Sequence, residues 1–297
     1  MKNVLKFYYD IIVDKYTVSD EEYYFEYNNN YYMFIPNRRN SSLDINFLKE
    51  YELYDQYTYK IVFDKYNDFE VEYNNQKYVL LWCDYDYDTC IFLDDLLKNN
   101  GYVGDTSYVK SWGKLWSERN NFYESQIHEY GKKNKLIYNS FSYYYYMAEN
   151  AIAYINNSEK LYAEKEKEYS IVRRKMEYPI KRKQFLNPLN YIVDLKVRDY
   201  AEYIKNIFFF DDIENHFDDV HIIIKNIKAT SYNYSMFFAR LLYPNYYFNE
   251  YDKIINYNKS SDKMNVIVNK SEEYKLFLND IYKYLAKIKP IDKIDWL

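Results

Sequence analysis

Glycine is nearly absent from this 297-residue chain: there are 4, and the first is Gly101. A loop that wraps phosphate needs glycines so that backbone amides can approach the anion. The first hundred residues therefore exclude a glycine-rich phosphate cradle. Cysteine is as scarce. Cys83 and Cys90 are the only two; they make no disulfide framework and fit synthesis in a reducing cytoplasm. His128, His216 and His221 form no tight metal spacing with them, so no metal is expected. No apolar run approaches the roughly 20 residues that span a bilayer, which argues against a membrane partner. The opening MKNVLKFYYDIIVDKY carries Asp10, Asp14 and Lys15 and lacks a small-residue cleavage pattern, so no signal peptide is expected. An excess of basic residues is also missing: 40 face 45 acidic ones, for a net charge of -5. A general nucleic-acid binder presents a net basic field, and this balance argues against one.

What the chain does have is tyrosine, 43 of them, within an apolar fraction of 48% that suits a folded protein. Asn, Lys and Ile are abundant too, and all share AT-rich codons, so nucleotide bias is the first explanation. A tyrosine replaces Leu or Phe in a core only where its hydroxyl reaches water or a partner, which places many of these rings at core edges.

Residues 1–82 read as strand-rich. Two β-prone runs, 23–27 and 31–35, flank Asn28-Asn29-Asn30, and two more, 69–73 and 77–82, flank Asn74-Asn75-Gln76; both patterns predict hairpins. Between them Asp44 can cap a short helix carrying Ile45, Phe47, Leu48 and Tyr51. From about residue 91 the apolar period becomes helical. Leu93, Leu96 and Leu97 fit a short helix, and residues 108–130 a long amphipathic one. Residues 142–155, 199–208, 235–243 and 274–288 follow, with Pro244 ending or kinking its helix. The expected architecture is α+β, with a small β-rich lobe over 1–82 and a larger helical lobe over 83–297. Kinase-type phosphotransferases share that outline with other mixed α+β proteins.

Four segments of the helical part are more specific: SWGKLWSER at 111–119, FSYYYYMAENAIAYI at 141–155, IVDLKVRDYAEYI at 192–204 and ARLLYPNYYF at 239–248. Their order and spacing resemble the YutH-type spore-coat-associated proteins of spore-forming Firmicutes. Those are divergent relatives of CotS-type coat proteins and of aminoglycoside and choline phosphotransferases. The resemblance covers roughly residues 78–250, and the first lobe in outline. It implies a two-lobed, protein-kinase-like (aminoglycoside phosphotransferase-like) fold and a part in forming the bacterial endospore coat.

The resemblance also allows a residue-by-residue test of the phosphotransfer site, which requires a cation on the phosphates, a metal-binding Asp and Asn, and a catalytic Asp. Active relatives carry His-Gly-Asp, then Asn, about twenty residues before the metal Asp. Here that stretch is YSIVRRKM at 169–176, with no His, Gly or Asp. Arg173, Arg174 and Lys175 stand there instead, and arginine accepts no proton near neutral pH. Asp194 matches the metal-binding aspartate, but on its residues alone a strand-end carboxylate is the plainer reading, since one carboxylate without an Asn partner makes a weak magnesium site. Asp199 matches a structural aspartate that opens the next helix, a position helix capping also explains. No strand lysine lies near Phe34-Ile35-Pro36, and Lys60 and Lys77 fall on other strands.

Arg173, Arg174, Lys175, Lys181, Arg182 and Lys183 concentrate positive charge over eleven residues and could bind an anion, an acidic partner or RNA; a solvated loop is the plainer reading. Asp84, Asp86 and Asp88 alternate like a calcium loop but lack its glycine and terminal Glu. Trp112 and Trp116 share a helical face and read as core. The leading expectation is a pseudokinase without cofactor, a structural protein of the spore coat that docks other proteins through exposed aromatic and charged faces. Two alternatives stand beside it: a small-molecule kinase using Mg-ATP, rearranged around Asp194, Arg173 and Arg174, and an anion- or RNA-binding module built on residues 173–183.

Overall fold

The computed structural model describes residues 1–38, 58–84, 86, 88–98, 106, 109–162 and 167–294. The helix expected behind Asp44 lies outside the described residues. The chain divides into two compact units. One comprises Met1–Phe92, Arg173–Lys175 and Pro179–Tyr191; the other comprises Leu93–Val172, Met176–Tyr178 and Ile192–Leu297.

The first unit opens with helix α1 (Lys2–Tyr9), which ends where Asp10 turns left-handed at φ 55°. An antiparallel sheet follows: β1 (Thr17–Ser19), β2 (Glu22–Tyr27), β3 (Asn30–Pro36), β4 (Lys60–Val62), β5 (Val71–Tyr73) and β6 (Gln76–Cys83). Its order is β1-β2-β3-β6-β4, with β5 also paired to β6. Both expected hairpins are present, as β2–β3 and β5–β6. Asn28-Asn29 and Asn74-Asn75 close them, each residue at positive φ between 50° and 60°. Asp20-Glu21 turns β1 into β2 in the same way, at φ 49° and 68°. Two positive φ values in a two-residue loop make the type I′ turn that suits strand twist, and asparagine tolerates it. Phe25, Phe34, Val71, Tyr78 and Leu80 on one face pack with Leu5, Ile11 and Val13. Tyr24, Met33, Ile35, Val79 and Leu81 on the other are buried as well. Burial on both faces explains why β6 reads as a continuous apolar run rather than an alternation.

The later segment joins this unit through its backbone. Ile91 N–H donates to Ile180 O at 2.9 Å, and Tyr59 N–H to Leu186 O at 3.3 Å. The Thr58 hydroxyl sits 3.0 Å from Leu186 O and 2.8 Å from the Tyr191 hydroxyl.

The second unit is mostly helical. It contains α2 (Leu93–Leu97), α3 (Trp112–Tyr130), α4 (Lys135–Leu161), a two-stranded sheet of β7 (Tyr169–Arg173) with β8 (Tyr191–Leu195), then α5 (Val197–Phe210), α6 (Phe217–Asn226), α7 (Ser231–Leu242), α8 (Asn245–Tyr257), α9 (Asp262–Asn269) and α10 (Ser271–Ile288). Helix α4 begins seven residues before the expected start because Asn134 caps it, its side-chain oxygen accepting from Ile137 N–H at 3.2 Å. At Gly113 an added Cβ would lie 2.2 Å from Asn156 Oδ1, so glycine lets α3 approach α4 closely.

The tyrosines correct an expectation. Many lie in the core itself, because the core supplies acceptors. Tyr144 donates to Ile267 O at 3.0 Å, Tyr274 to Leu241 O at 2.9 Å and Tyr123 to Asp252 at 2.6 Å; Tyr247 pairs with the Ser140 hydroxyl at 3.0 Å. A phenol partnered inside no longer needs the edge.

Candidate functional site

In the second unit β8 carries Asp194 into the interior, where it is 5% exposed. Its carboxylate is filled by donors of its own chain. The Trp112 indole N–H divides between Oδ1 at 2.8 Å and Oδ2 at 3.0 Å. Leu195 N–H donates to Oδ1 at 2.8 Å, and the Arg198 guanidinium reaches Oδ2 at 2.6 Å. Arg198 lies one helical turn beyond Asp194, in the first turn of α5, so the fold builds the pair locally. Asp199 follows it, fully buried, at the helix end where a negative charge is stabilised by the dipole.

A second polar group adjoins the first. The Arg240 guanidinium lies over the Trp112 and Trp116 rings, 5.2 Å and 5.7 Å from their centroids, and its Nε donates to Glu202 Oε1 at 2.6 Å. Lys205 Nζ donates to Glu202 Oε1 and to Arg240 O, both at 2.9 Å, and to Asn245 Oδ1; Asn245 Nδ2 in turn donates to Glu202 Oε2 at 2.7 Å. Lys205 thus sits at the C-terminal end of α7, where a cation satisfies the last carbonyls. Burial alone would raise the Glu202 carboxyl, but Lys205, Arg240 and the Asn245 amide hold it well below the usual carboxylate range. Burial pushes Lys205 down to about 7 despite the carboxylate beside it. A recess of about 30 Å³ lies next to this group, lined by Glu202, Lys205, Asn206, Met176, Lys253 and Lys263 among others.

The basic run disperses. Arg173 is buried in the first unit, its guanidinium 3.6 Å from the Phe185 ring and its Nε donating to Phe185 O at 2.9 Å. Arg174 and Lys175 are exposed, and their backbone is clamped by Asn190. Lys181 and Lys183 pair with Asp88. Lys60 lies over the Trp82 ring, and Lys77 pairs with Glu70 on the surface. His216 pairs with Asp219 and Asp211, and His221 with the Phe217 carbonyl. Among the described residues no group of three or more His, Cys, Asp or Glu side chains is arranged for a metal.

The family described as "Spore coat putative kinase YutH" matches residues 2–281. This chain belongs to the YutH family. The endospore coat-associated protein YutH of Bacillus subtilis (strain 168) is 22% identical over 332 aligned positions, covering 100% of this chain and 98% of that protein. Among solved structures, an aminoglycoside phosphotransferase from Alicyclobacillus acidocaldarius subsp. acidocaldarius DSM 446 matches with TM-score 0.61 at 11% identity, over 94% of each chain. Spectinomycin phosphotransferase APH(9)-Ia, in complex with ADP and spectinomycin, matches with TM-score 0.55 at 11% identity, over 94% of this chain and 92% of that one. At such identities the likeness establishes the fold, which is the α+β, protein-kinase-like fold expected from the four segments. No helix among the described residues is long and apolar enough to cross a membrane.

Three of the four segments that carry the YutH resemblance meet in the buried network: Trp112 comes from the first, Asp194, Arg198 and Glu202 from the third, Arg240 and Asn245 from the fourth. Sequence reading passes over most of these residues, though a signal exists. Arg240 stands as a lone charge inside the apolar run 236–242, and Glu202 and Lys205 sit three apart on a helix whose other residues are largely apolar. A charge on an apolar face calls for an internal partner. Asp194 is the carboxylate that matches the metal-binding aspartate of the related kinases. The one matching carboxylate has both oxygens taken by internal donors, and its counter-charge is already supplied by Arg198.

Proposed function

We propose that this YutH-family protein is a non-catalytic member of the kinase-like fold that serves the endospore coat as a structural and interaction protein. The observation that carries the reading is the Arg198 guanidinium at 2.6 Å from Asp194, with the Trp112 indole on both carboxylate oxygens. A divalent cation would have to displace a bonded guanidinium from a buried carboxylate, at a cost of several kcal/mol. The alternative of a rearranged small-molecule kinase draws less support, because the Arg173 cation is sandwiched against Phe185. Exposed rings on α3 and α4, Phe122, Tyr138 and Tyr146, supply aromatic surface for docking other coat proteins.

Thermal unfolding with ATP, with and without magnesium, tests the inactive reading. A ligand at a hundred times its dissociation constant adds about 2.7 kcal/mol, so a nucleotide site would be visible. The expected outcome is an unchanged midpoint. Stabilisation by Mg-ATP that Asp194→Asn abolishes would overturn the reading. The coat role is tested by fractionating cells through sporulation: the protein is expected in the coat fraction of purified spores, and its confinement to growing cells would sink that part.

A further inference from the structure

The Asp194 network leaves two sequence features unused: the alternating Asp84, Asp86 and Asp88, and the cations Lys181, Arg182 and Lys183. Within the first unit they run side by side. Cys90 and Lys181 form an antiparallel bridge, and Arg182 N–H donates to Thr89 O at 2.9 Å. This short ladder fixes the basic strip against the acidic loop. The ammonium groups of Lys181 and Lys183 then converge on one atom, Asp88 Oδ1, at 2.8 Å and 3.1 Å. Lys183 is steadied from behind by the Tyr24 ring, 4.7 Å from its Nζ. Asp88 is placed by a turn in which its N–H donates to Asp86 Oδ1 at 2.8 Å.

Two ammonium groups on a single oxygen is an arrangement that suits a phosphate oxygen. The lysine side chains are 30% and 27% exposed, while Asp88 is 54% exposed, so the carboxylate is the outer partner. Both lysines hold the Asp88 carboxyl below the usual carboxylate range. An ion pair this exposed is weak in water, and a stronger anion competes with it. A phosphate group brings up to two charges and three acceptor oxygens against one charge and two oxygens.

We propose that Lys181 and Lys183 form a binding site for the phosphate group of a small molecule, with Asp88 as its resident occupant. Asp88 leaves when an anion binds. Phosphate capture by this pair does not depend on whether the protein transfers phosphate.

Calorimetric titration of the full chain at low ionic strength tests this, with pyrophosphate, ADP and adenosine as probes. Asp88→Asn is expected to bind pyrophosphate and ADP about tenfold more tightly than the wild type, and adenosine no better. An equal gain for the two phosphate probes identifies free phosphate chemistry as what is recognised; a larger gain for ADP identifies a nucleotide. Adding Lys181→Gln and Lys183→Gln to Asp88→Asn is expected to erase the gain. No gain in Asp88→Asn, or a gain that survives loss of both lysines, overturns the proposal and leaves an ordinary surface ion pair. Should Asp88→Asn fail to fold, the wild type decides. Its pyrophosphate binding is expected to be saturable, to weaken with salt, and to fall at least severalfold in the Lys181→Gln/Lys183→Gln variant; binding equal in the two proteins overturns the proposal.

Discussion

Glu21 occupies the second position of the turn between β1 and β2 at φ 68°, a conformation that costs a residue with a Cβ about 1–2 kcal/mol. Its backbone is held there from outside, Tyr78 donating its hydroxyl to Glu21 O at 3.2 Å and Arg38 donating to the neighbouring Asp20 O at 2.5 Å. Glu21→Gly removes the strain, and the greater freedom of glycine in the unfolded chain offsets part of the gain. The variant is expected to be more stable by about 0.5–1 kcal/mol in urea unfolding. A midpoint at or below wild type would show that the turn is not strained. The buried tyrosines separate by the same accounting. Tyr247 shares a hydrogen bond with Ser140, whereas the Tyr243 hydroxyl is buried without a partner among the described residues and burial pushes it up to about 12. Tyr247→Phe is expected to cost about 1 kcal/mol, while Tyr243→Phe is neutral or stabilising. Equal losses in the two variants would count against this distinction.

At the scale of elements, what was legible followed from local chemistry. Asparagine pairs between β-prone runs marked both hairpins, because a type I′ turn demands positive φ from both of its residues. Pro244 marked the break between α7 and α8. The start of α4 was hidden, since its cap, Asn134, precedes a run of tyrosines that carries no clear helical period. Asp194 was legible by position, but its Trp112 partner was not, because it comes from α3 and only packing brings the two together. The same holds for Glu202 on α5 and Arg240 on α7, a pair that ties two helices. Glu202→Gln leaves Lys205 and Arg240 buried without a counter-charge and is expected to cost about 3–5 kcal/mol; Lys205→Met keeps the Glu202–Arg240 pair and is expected to cost clearly less. Chemical unfolding of both variants checks the order, and the reverse order would refute it. The sign with pH follows from Glu202, whose folded-state pKa lies below the unfolded value of about 4.3. Its contribution is present above that value and lost as pH falls. The stability gap between wild type and Glu202→Gln is therefore expected to narrow on acidification from pH 5 to pH 3, and a constant gap would exclude the carboxylate as its source.

At the scale of the whole molecule, the change from strand to helical period placed a boundary at residue 82, whereas the first unit runs to Phe92 and takes in Arg173–Lys175 and Pro179–Tyr191. Periodicity reports where a chain changes its local structure. It cannot report that a distant segment returns, because the return depends on contacts such as Thr58 with Leu186 and Tyr191, and Ile91 with Ile180. Those contacts also supply interior: Arg173 and Phe185 are buried there, and Leu186 and Leu189 are nearly so. A fragment covering residues 1–92 lacks all of these. Thr58 loses both partners of its hydroxyl, and the polar backbone around Ile91 loses the strand-like ladder that satisfies it. Such a fragment is therefore expected to show no cooperative thermal transition and poor amide dispersion by NMR, although it contains all six strands of the sheet. A fragment in which residues 1–92 are linked to 173–191 supplies the missing contacts and is expected to recover at least part of the transition. If residues 1–92 alone unfolded cooperatively, the returning segment would be a surface attachment, and the first unit would be the continuous domain that the sequence pattern suggests.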